Sequence, residues 1–454
     1  MHTDLALAAF FGIAPAAWTV GAVALSVVLL TVMIAWGRVQ PFLAFVIVAM
    51  LAAVLLGQPL DTIPKAIETG IGDLLGSLAV IICLGAVFGK LIADSGAAQK
   101  IATTLINISG QRRMPLALTL TGFIVGIPLY YNVGFVLMVP LIFSLVFQSG
   151  RPAVALAIPL LAGLSIAHGF LPPHPSPTAL VAAFHGDLGT TLLYGLFVAI
   201  PTLLIAGPLF AMSLKKIHSE PLAIFRTESR TDAELPGAVN SFVTALLPVM
   251  LLAGATVLTT RPIANPALMR AITFVANPMV VMLVAYSAAI VSLGLMRGRS
   301  MATLMKGAEQ GLRDIAPILL IIAGAGALKQ VFVMSGVSDL LGSKLGALPI
   351  SPLVLGWLIA TVIRICLGSA TVAGLTAAGI VAPLVLSSGV NPNLMALAVG
   401  AGSLMCSHVN DSAFWMFKEY FNLSLKDTFR SWTMMETLAG IFGLLLTLLL
   451  ERLL

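Results

Sequence analysis

Long stretches without a charged residue recur from one end of the chain to the other. They include residues 18–37, 41–60, 74–89, 114–150, 188–214, 277–296 and 437–450. A helix needs about 20 apolar residues to cross the roughly 30 Å hydrocarbon core of a bilayer, and most of these stretches reach that length. The pattern predicts an all-α polytopic membrane protein with about 12 crossing or re-entrant segments, within a range of roughly 10 to 14.

Four segments place polar or helix-breaking residues between apolar flanks, at 126–134, 168–177, 368–374 and 407–412. Unpaired backbone groups are costly in lipid, so such a break persists where it lines a cavity or is buried in protein. For the segments with glycine at both ends, 126–134 and 368–374, an ordinary helix kink is the alternative. For the proline-rich segment we expect a re-entrant tip or an unwound helix, with an external loop as the alternative.

The chain divides near its middle at one extended polar stretch, residues 215–240. This stretch is predicted to be a cytoplasmic linker. It separates an N-terminal membrane half, residues 1–214, from a C-terminal membrane half, residues 241–454.

The two halves show recurring matches at an offset near 240, such as the Ser-Gly pairs at 95–96 and 335–336. The loop after the first pair carries basic residues at 100–113, whereas the loop after the second holds only Lys344. By the positive-inside rule the first loop is cytoplasmic and the second lies outside. The halves are therefore predicted to be inverted-topology repeats with discontinuous helices, a recurrent plan of secondary transporters.

Arg364 is the only charged residue between Lys344 and Asp411. An arginine inside a membrane is costly and marks a functional site by default. Three interpretations stay open: its planar fork binds a substrate carboxylate, it forms a structural ion pair with Asp411, or it snorkels to the interface. The N-termini of helices at the breaks add positive dipole ends that suit an anion.

Several classes of function are excluded or disfavoured by the sequence. Only 9% of residues are charged and 59% are hydrophobic, whereas soluble domains carry about 25% charged residues. The net charge of +6 lies in loops, which favours membrane topology over nucleic-acid binding. The three cysteines are isolated, and motifs for nucleotide, zinc or nucleophilic-serine chemistry are absent. We therefore expect no enzyme activity, metal or cofactor.

Three motifs resemble the gluconate:proton symporter, or gluconate permease, family. They are GSLMCSHVNDSAFWMFKEYF at 402–421, AHGFLPPHP at 167–175 and GAVFGKL at 85–91. The resemblance spans roughly residues 20 to 450. Ser176 and Ala413 stand where glycine is expected, which leaves the substrate subtype open.

The resemblance implies proton-coupled import of gluconate or a related sugar acid across the bacterial inner membrane. It also implies membership of the ion-transporter superfamily, whose members are usually homodimers that move substrate by an elevator-like motion. D-serine, glycerate or another small hydroxy- or amino acid is the alternative substrate. A passive channel is the alternative class.

The predicted site combines these inferences. The expected substrate-binding residues are Arg364, Asn132, Tyr131, Ser369, Thr371 and Asn410. The expected proton carriers, residue types common in membrane proton relays, are His168, His408, Asp411 and His174.

Overall fold

The chain folds almost entirely into helices. A computed structural model describes residues 14–110, 113–217, 219, 231–259, 265–337, 349–409 and 411–454. Within these ranges every regular element is a helix and no strand occurs. The predicted all-α class is confirmed.

The helices are numbered in chain order. Those of the first half are Pro15–Ala35 (α1), Pro41–Leu55 (α2), Ile63–Ser95 (α3), Ala97–Ser109 (α4), Met114–Gly126 (α5), Tyr131–Ser149 (α6), Ala153–Phe170 (α7), Pro175–Ala183 (α8) and Leu188–Leu204 (α9). A π-helical turn, Ile205–Leu209, continues α9.

The second half follows with ten helices in the part of the chain that the structure describes. They are Ala238–Thr259 (α10), Pro266–Ala276 (α11), Pro278–Ala289 (α12), Met301–Met334 (α13), Pro352–Leu367 (α14), Ala370–Ser388 (α15), Pro392–Leu404 (α16), Ser412–Tyr420 (α17), Leu425–Thr428 (α18) and Met434–Leu453 (α19). A π-helical turn, Phe429–Thr433, joins α18 to α19.

Membrane-spanning character is distributed along the whole chain. Nine helical stretches among the described residues are long and apolar enough to cross a bilayer, and six shorter apolar helices accompany them. The chain is therefore a multi-pass membrane protein, as the hydrophobic pattern predicts.

The longest helices, α3 and α13, pack along each other. They touch at Gly70 and Gly326, where backbone meets backbone. A Cβ atom added to Gly70 would lie 2.4 Å from the carbonyl oxygen of Gly326, and one on Gly326 would lie 2.3 Å from that of Gly70. Small residues allow this close approach, which favours helix association within a membrane.

The Gly70→Ala variant is expected to lose about 1–3 kcal/mol of stability, because the added methyl group overpacks the contact with α13. Gly72→Ala on the same helix is the matched control, since a Cβ there meets nothing within 4 Å. The measurement is the temperature at which detergent-solubilised protein ceases to be monodisperse. Equal temperatures for the two variants would contradict the tight contact.

Helices α5 and α6 form a re-entrant hairpin. Arg113 precedes α5 and Arg151 follows α6, and both residues line one groove. At about 1.5 Å per residue, α5 extends roughly 20 Å from that groove and α6 extends roughly 28 Å. The turn between them therefore lies deep in the molecule, and the segment enters and leaves on one face. A kink within a single crossing helix does not produce this arrangement.

The proline-rich break interrupts a crossing helix. Helices α7 and α8 belong to one apolar span, Ala153–Ala183, which is parted at residues 171–174. Proline lacks the backbone donor that a helix needs and clashes with the preceding turn. Leu171 and His174 are buried, so the break lies within the protein. The alternative of an external loop is wrong because the segment is enclosed. An unwound helix agrees with the break inside one apolar span, and it stays a prediction together with the re-entrant tip.

Breaks recur in the same order in the second half. Helices α14 and α15 part at residues 368–369, and α16 and α17 part between Leu404 and Ser412. The long helix of each half, α3 or α13, comes before both of its breaks. The order of elements agrees with the predicted repeat. The inverted orientation of the halves, and their boundary at 215–240, stay predictions.

Candidate functional site

The interrupted segments surround a cavity of about 360 Å³. Its polar lining comes from both halves of the chain and consists of Tyr130, Tyr131, Asn132, Ser165, His168, Arg364, Ser369, Thr371, Asp411, Ser412, Trp432 and Glu436. Ile318 and Ile321 of α13 add apolar surface. A cavity of this size that combines apolar surface with convergent polar groups is typical of a small-molecule site.

A buried ion pair lies in the cavity wall. Arg364, in the last turn of α14, is 3% exposed, and its Nη2 donates to Oδ2 of Asp411 at 2.5 Å. Its Nη1 donates to the carbonyl oxygen of Gly368, which ends α14. The Nε–H makes no hydrogen bond to any residue that the structure describes. The Arg364–Asp411 ion pair, one of the predicted alternatives, is therefore present. The Nε–H of the guanidinium remains available as a hydrogen-bond donor.

Asp411 is held by several donors at once. Its Oδ1 accepts the backbone N–H of Ala413 at 3.0 Å and so caps α17. Its Oδ2 also accepts the hydroxyl of Ser407 at 2.5 Å, and the indole Nε1 of Trp432 donates to that hydroxyl at 2.7 Å. This network fixes the carboxylate against Arg364, because each oxygen has a directed partner.

Helix N-termini meet at the cavity. First-turn residues of α6, α15 and α17 all contribute to its lining: Tyr131, Thr371 and Ala413 respectively. The first N–H groups of a helix lack partners within it and carry the positive end of the dipole. The side chains of Ser369 and Asp411 cap α15 and α17, whereas α6 has no side-chain cap. Such convergence favours an anionic ligand.

Glu436 is an acidic residue of the site that the sequence pattern did not single out. This residue lies in the first turn of α19, is 2% exposed and lines the cavity. Its Oε1 accepts the hydroxyl of Ser165 at 2.6 Å. No cation lies within ion-pair distance of it among the described residues. The sequence did contain one indication of a functional role: Glu436 is the only charged residue between Arg430 and Glu451.

Comparison with known proteins assigns the family. The model of the GntP family permeases matches residues 18–453. The chain belongs to the GntP permease family. The resemblance carried by residues 402–421 is confirmed.

Relatives of the permease are transporters. The chain is 44% identical over 430 residues to the high-affinity gluconate transporter of Escherichia coli (strain K12). The alignment covers 94% of this chain and 98% of the relative. It is also 44% identical over 425 residues to the Gnt-II system L-idonate transporter of the same strain, with 93% and 97% covered.

A solved structure shares the fold. The Alcanivorax borkumensis YdaH transporter matches with a TM-score of 0.64 at 18% identity, covering 90% of this chain and 97% of that one. This likeness concerns the fold alone. With its family and its apolar helices, the permease is a multi-pass transporter of the bacterial inner membrane that takes a small-molecule substrate.

The cavity of the permease gathers most of the residues that the sequence singled out. It is lined by the predicted substrate-binding residues Arg364, Asn132, Tyr131, Ser369 and Thr371. The predicted proton carriers His168 and Asp411 line it as well. Asn410 lies outside the described residues. The roles of all these residues stay predictions.

Two further histidines lie away from the cavity lining. His174 is buried, and its Nε2 donates to the carbonyl oxygen of Gly126 at 2.6 Å, which ties the proline-rich break to the α5–α6 hairpin. Its ring centroid is 5.2 Å from that of His168. The Nε2 of His408 donates to the carbonyl oxygen of Ile365 at 3.0 Å. A proton-carrying role for His174 and His408 stays a prediction.

Replacing Trp432 with phenylalanine is expected to weaken apparent substrate affinity about fivefold. The variant removes the indole donor to Ser407, a loss of about 1 kcal/mol, while an aromatic ring still packs near Tyr131. Trp415→Phe is the control, because Trp415 is 40% exposed and outside the cavity. The measurement is the substrate concentration giving half-maximal uptake. An unchanged value for Trp432→Phe would argue against this network.

Proposed function

We propose that this permease imports gluconate or a related sugar acid together with protons. The observation that carries the proposal is a cavity in which Arg364 lies among three helix N-termini. A basic group and unpaired N–H donors suit one carboxylate. The names of the relatives, gluconate and L-idonate transporters, supply the substrate class.

The substrate carboxylate binds at the Arg364 end of the cavity. A guanidinium has five N–H donors in a planar fork. Asp411 and Gly368 engage its Nη atoms, whereas its Nε has no partner among the described residues. The substrate carboxylate accepts a hydrogen bond from the remaining N–H donors of the Arg364 guanidinium. The sugar hydroxyls meet side chains with both donor and acceptor groups, supplied by Asn132, Ser369, Thr371 and Asn410, with Tyr131 against the carbon chain.

The coupled proton compensates charge in the cavity. Arg364 and Asp411 neutralise each other, so a bound carboxylate and an ionised Glu436 would leave two uncompensated negative charges. Isolated charges are costly inside a membrane protein. Protonation of Glu436 removes one of them and so favours binding of the anion. His168 lines the same cavity and serves as the relay, with His174 against it.

Alternating access follows an elevator-type motion in this proposal. The hairpin α5–α6, its counterpart α14–α15 and the broken helices carry the cavity, whereas α13 contributes only Ile318 and Ile321 to its wall. The broken elements move as one body against the long helices. In this proposal the two halves, on either side of the 215–240 linker, are inverted repeats, and the transporter is a homodimer.

The test of substrate choice is uptake of labelled gluconate into proteoliposomes with an imposed inward proton gradient. We expect accumulation, with competition by unlabelled L-idonate and little by D-serine or glycerate. Uptake of D-serine or glycerate without gluconate uptake would overturn the sugar-acid assignment. Counterflow separates a carrier from a channel, because only a carrier accumulates label against unlabelled internal substrate.

A further inference from the structure

A second, larger groove lies at the opposite end of the α5–α6 hairpin from its turn. Its volume is about 680 Å³. Three basic side chains line it: Arg113, Arg151 and Lys215. The rest of the lining is mainly apolar, including Leu116, Leu156 and Met212.

The basic residues reach the groove from separate segments. Arg113 precedes α5 and Arg151 lies between α6 and α7. Lys215 follows a 3-10 helical turn, Met212–Leu214, beyond the end of α9. None of the three side chains forms an ion pair with the residues that the structure describes. Three uncompensated positive charges brought together by folding form a site for a multiply charged or extended anion.

The apolar part of the groove faces outward from the protein. Leu116 is 38% exposed and Met212 is 61% exposed. Both belong to helices at the end where a membrane-spanning segment meets a basic loop. Such side chains contact acyl chains when the protein is in a bilayer. The groove therefore offers cations and apolar surface side by side.

We propose that this groove binds one anionic phospholipid of the cytoplasmic leaflet. The positive-inside rule places Arg113, Arg151 and Lys215 on the cytoplasmic side, where the 215–240 linker begins. The phosphate contacts these three cations, and the acyl chains lie along Leu116 and Met212. Basic pockets between transmembrane helices on this side of a membrane suit lipid head groups of this charge.

Lipid binding adds a polar contact between elements that the fold already packs together, since α5 contacts the π-helical turn Ile205–Leu209 that continues α9. Arg113 and Arg151 are the two ends of the hairpin whose turn places Tyr131 and Asn132 in the central cavity. Lys215 lies at the start of the linker. A phosphate held by all three therefore anchors the base of the hairpin to α9, and the lipid stabilises the position of the hairpin.

The test is native mass spectrometry of the full-length permease purified in detergent with phosphatidylglycerol or phosphatidylcholine. We expect the wild type to retain phosphatidylglycerol in preference to phosphatidylcholine. The triple variant Arg113→Gln/Arg151→Gln/Lys215→Gln should bind phosphatidylglycerol on the order of 100-fold more weakly, since each of the three cations contributes about a factor of five. The charge-preserving variant Arg113→Lys/Arg151→Lys should retain binding.

The matched control neutralises three exposed cations elsewhere, Lys306, Lys426 and Arg452. It should bind phosphatidylglycerol as the wild type does. Equal retention of the two lipids, or equal loss in the control, would overturn the proposal. So would full displacement of the lipid by inorganic phosphate at constant ionic strength, because that result would show a free-anion site without an acyl-chain contribution.

Discussion

Replacing Arg364 with lysine is expected to weaken the apparent affinity for gluconate about 30-fold, while the protein still inserts and folds. Lysine keeps the positive charge opposite Asp411 but loses the planar fork that a carboxylate engages. A charge-assisted hydrogen bond contributes about 2 kcal/mol, which corresponds to that change in affinity. The measurement is the gluconate concentration for half-maximal uptake, normalised to monodisperse protein.

Asp411→Asn is the second arm of this test. If the Arg364–Asp411 pair only held the fold, Arg364→Lys and Asp411→Asn would both abolish the monodisperse protein, because breaking a buried pair leaves an uncompensated charge. Folded Arg364→Lys protein with unaltered affinity would also contradict a substrate contact. Arg313→Lys is the control, since Arg313 lies on the surface and pairs with Glu309 outside the cavity.

Replacing Glu436 with glutamine is expected to abolish accumulation of gluconate while preserving exchange. Glutamine resembles the protonated acid and still accepts the Ser165 hydroxyl, so the neutral, binding-competent state is permanent. With one coupled proton, a gradient of about one pH unit drives roughly tenfold accumulation. We expect this tenfold ratio to fall to about unity in the variant. The measurement is labelled gluconate inside and outside proteoliposomes.

Counterflow of gluconate in the same vesicles checks that Glu436→Gln protein is folded and binds substrate. Glu451→Gln is the matched control, because Glu451 is exposed at the far end of α19 and lies outside the cavity. Undiminished accumulation by Glu436→Gln protein would exclude this residue as the proton site and leave Asp411 and His168 to be tested.

Much of the site could be predicted because helix breaks and charged residues are energetically costly within an apolar membrane segment. Glycine, proline and polar residues inside an apolar stretch predict a break, and the structure has breaks near 126–134 and 368–374. The same logic singled out Arg364 and named Asp411 as a partner, and the two side chains are 2.5 Å apart. Both inferences rest on local composition, which a single sequence contains.

Residues whose placement depends on tertiary packing were not found. Glu436 lies just before the apolar run 437–450, where an acidic residue is expected at the interface. Its burial arises because α19 packs against α7 and brings it to Ser165. Trp432 lies in a π-helical turn, which sequence periodicity does not reveal. His408 was predicted as a proton carrier from its residue type, yet its ring donates to the carbonyl oxygen of Ile365, and neither residue lines the cavity.

The most direct test of proton-coupled gluconate import is the pH inside proteoliposomes when gluconate is added outside, with no pH gradient and the membrane potential clamped. The account predicts that the interior acidifies with gluconate entry, at a gluconate concentration that Arg364→Lys raises about 30-fold. Entry of labelled gluconate without acidification, or entry that requires sodium, would contradict it.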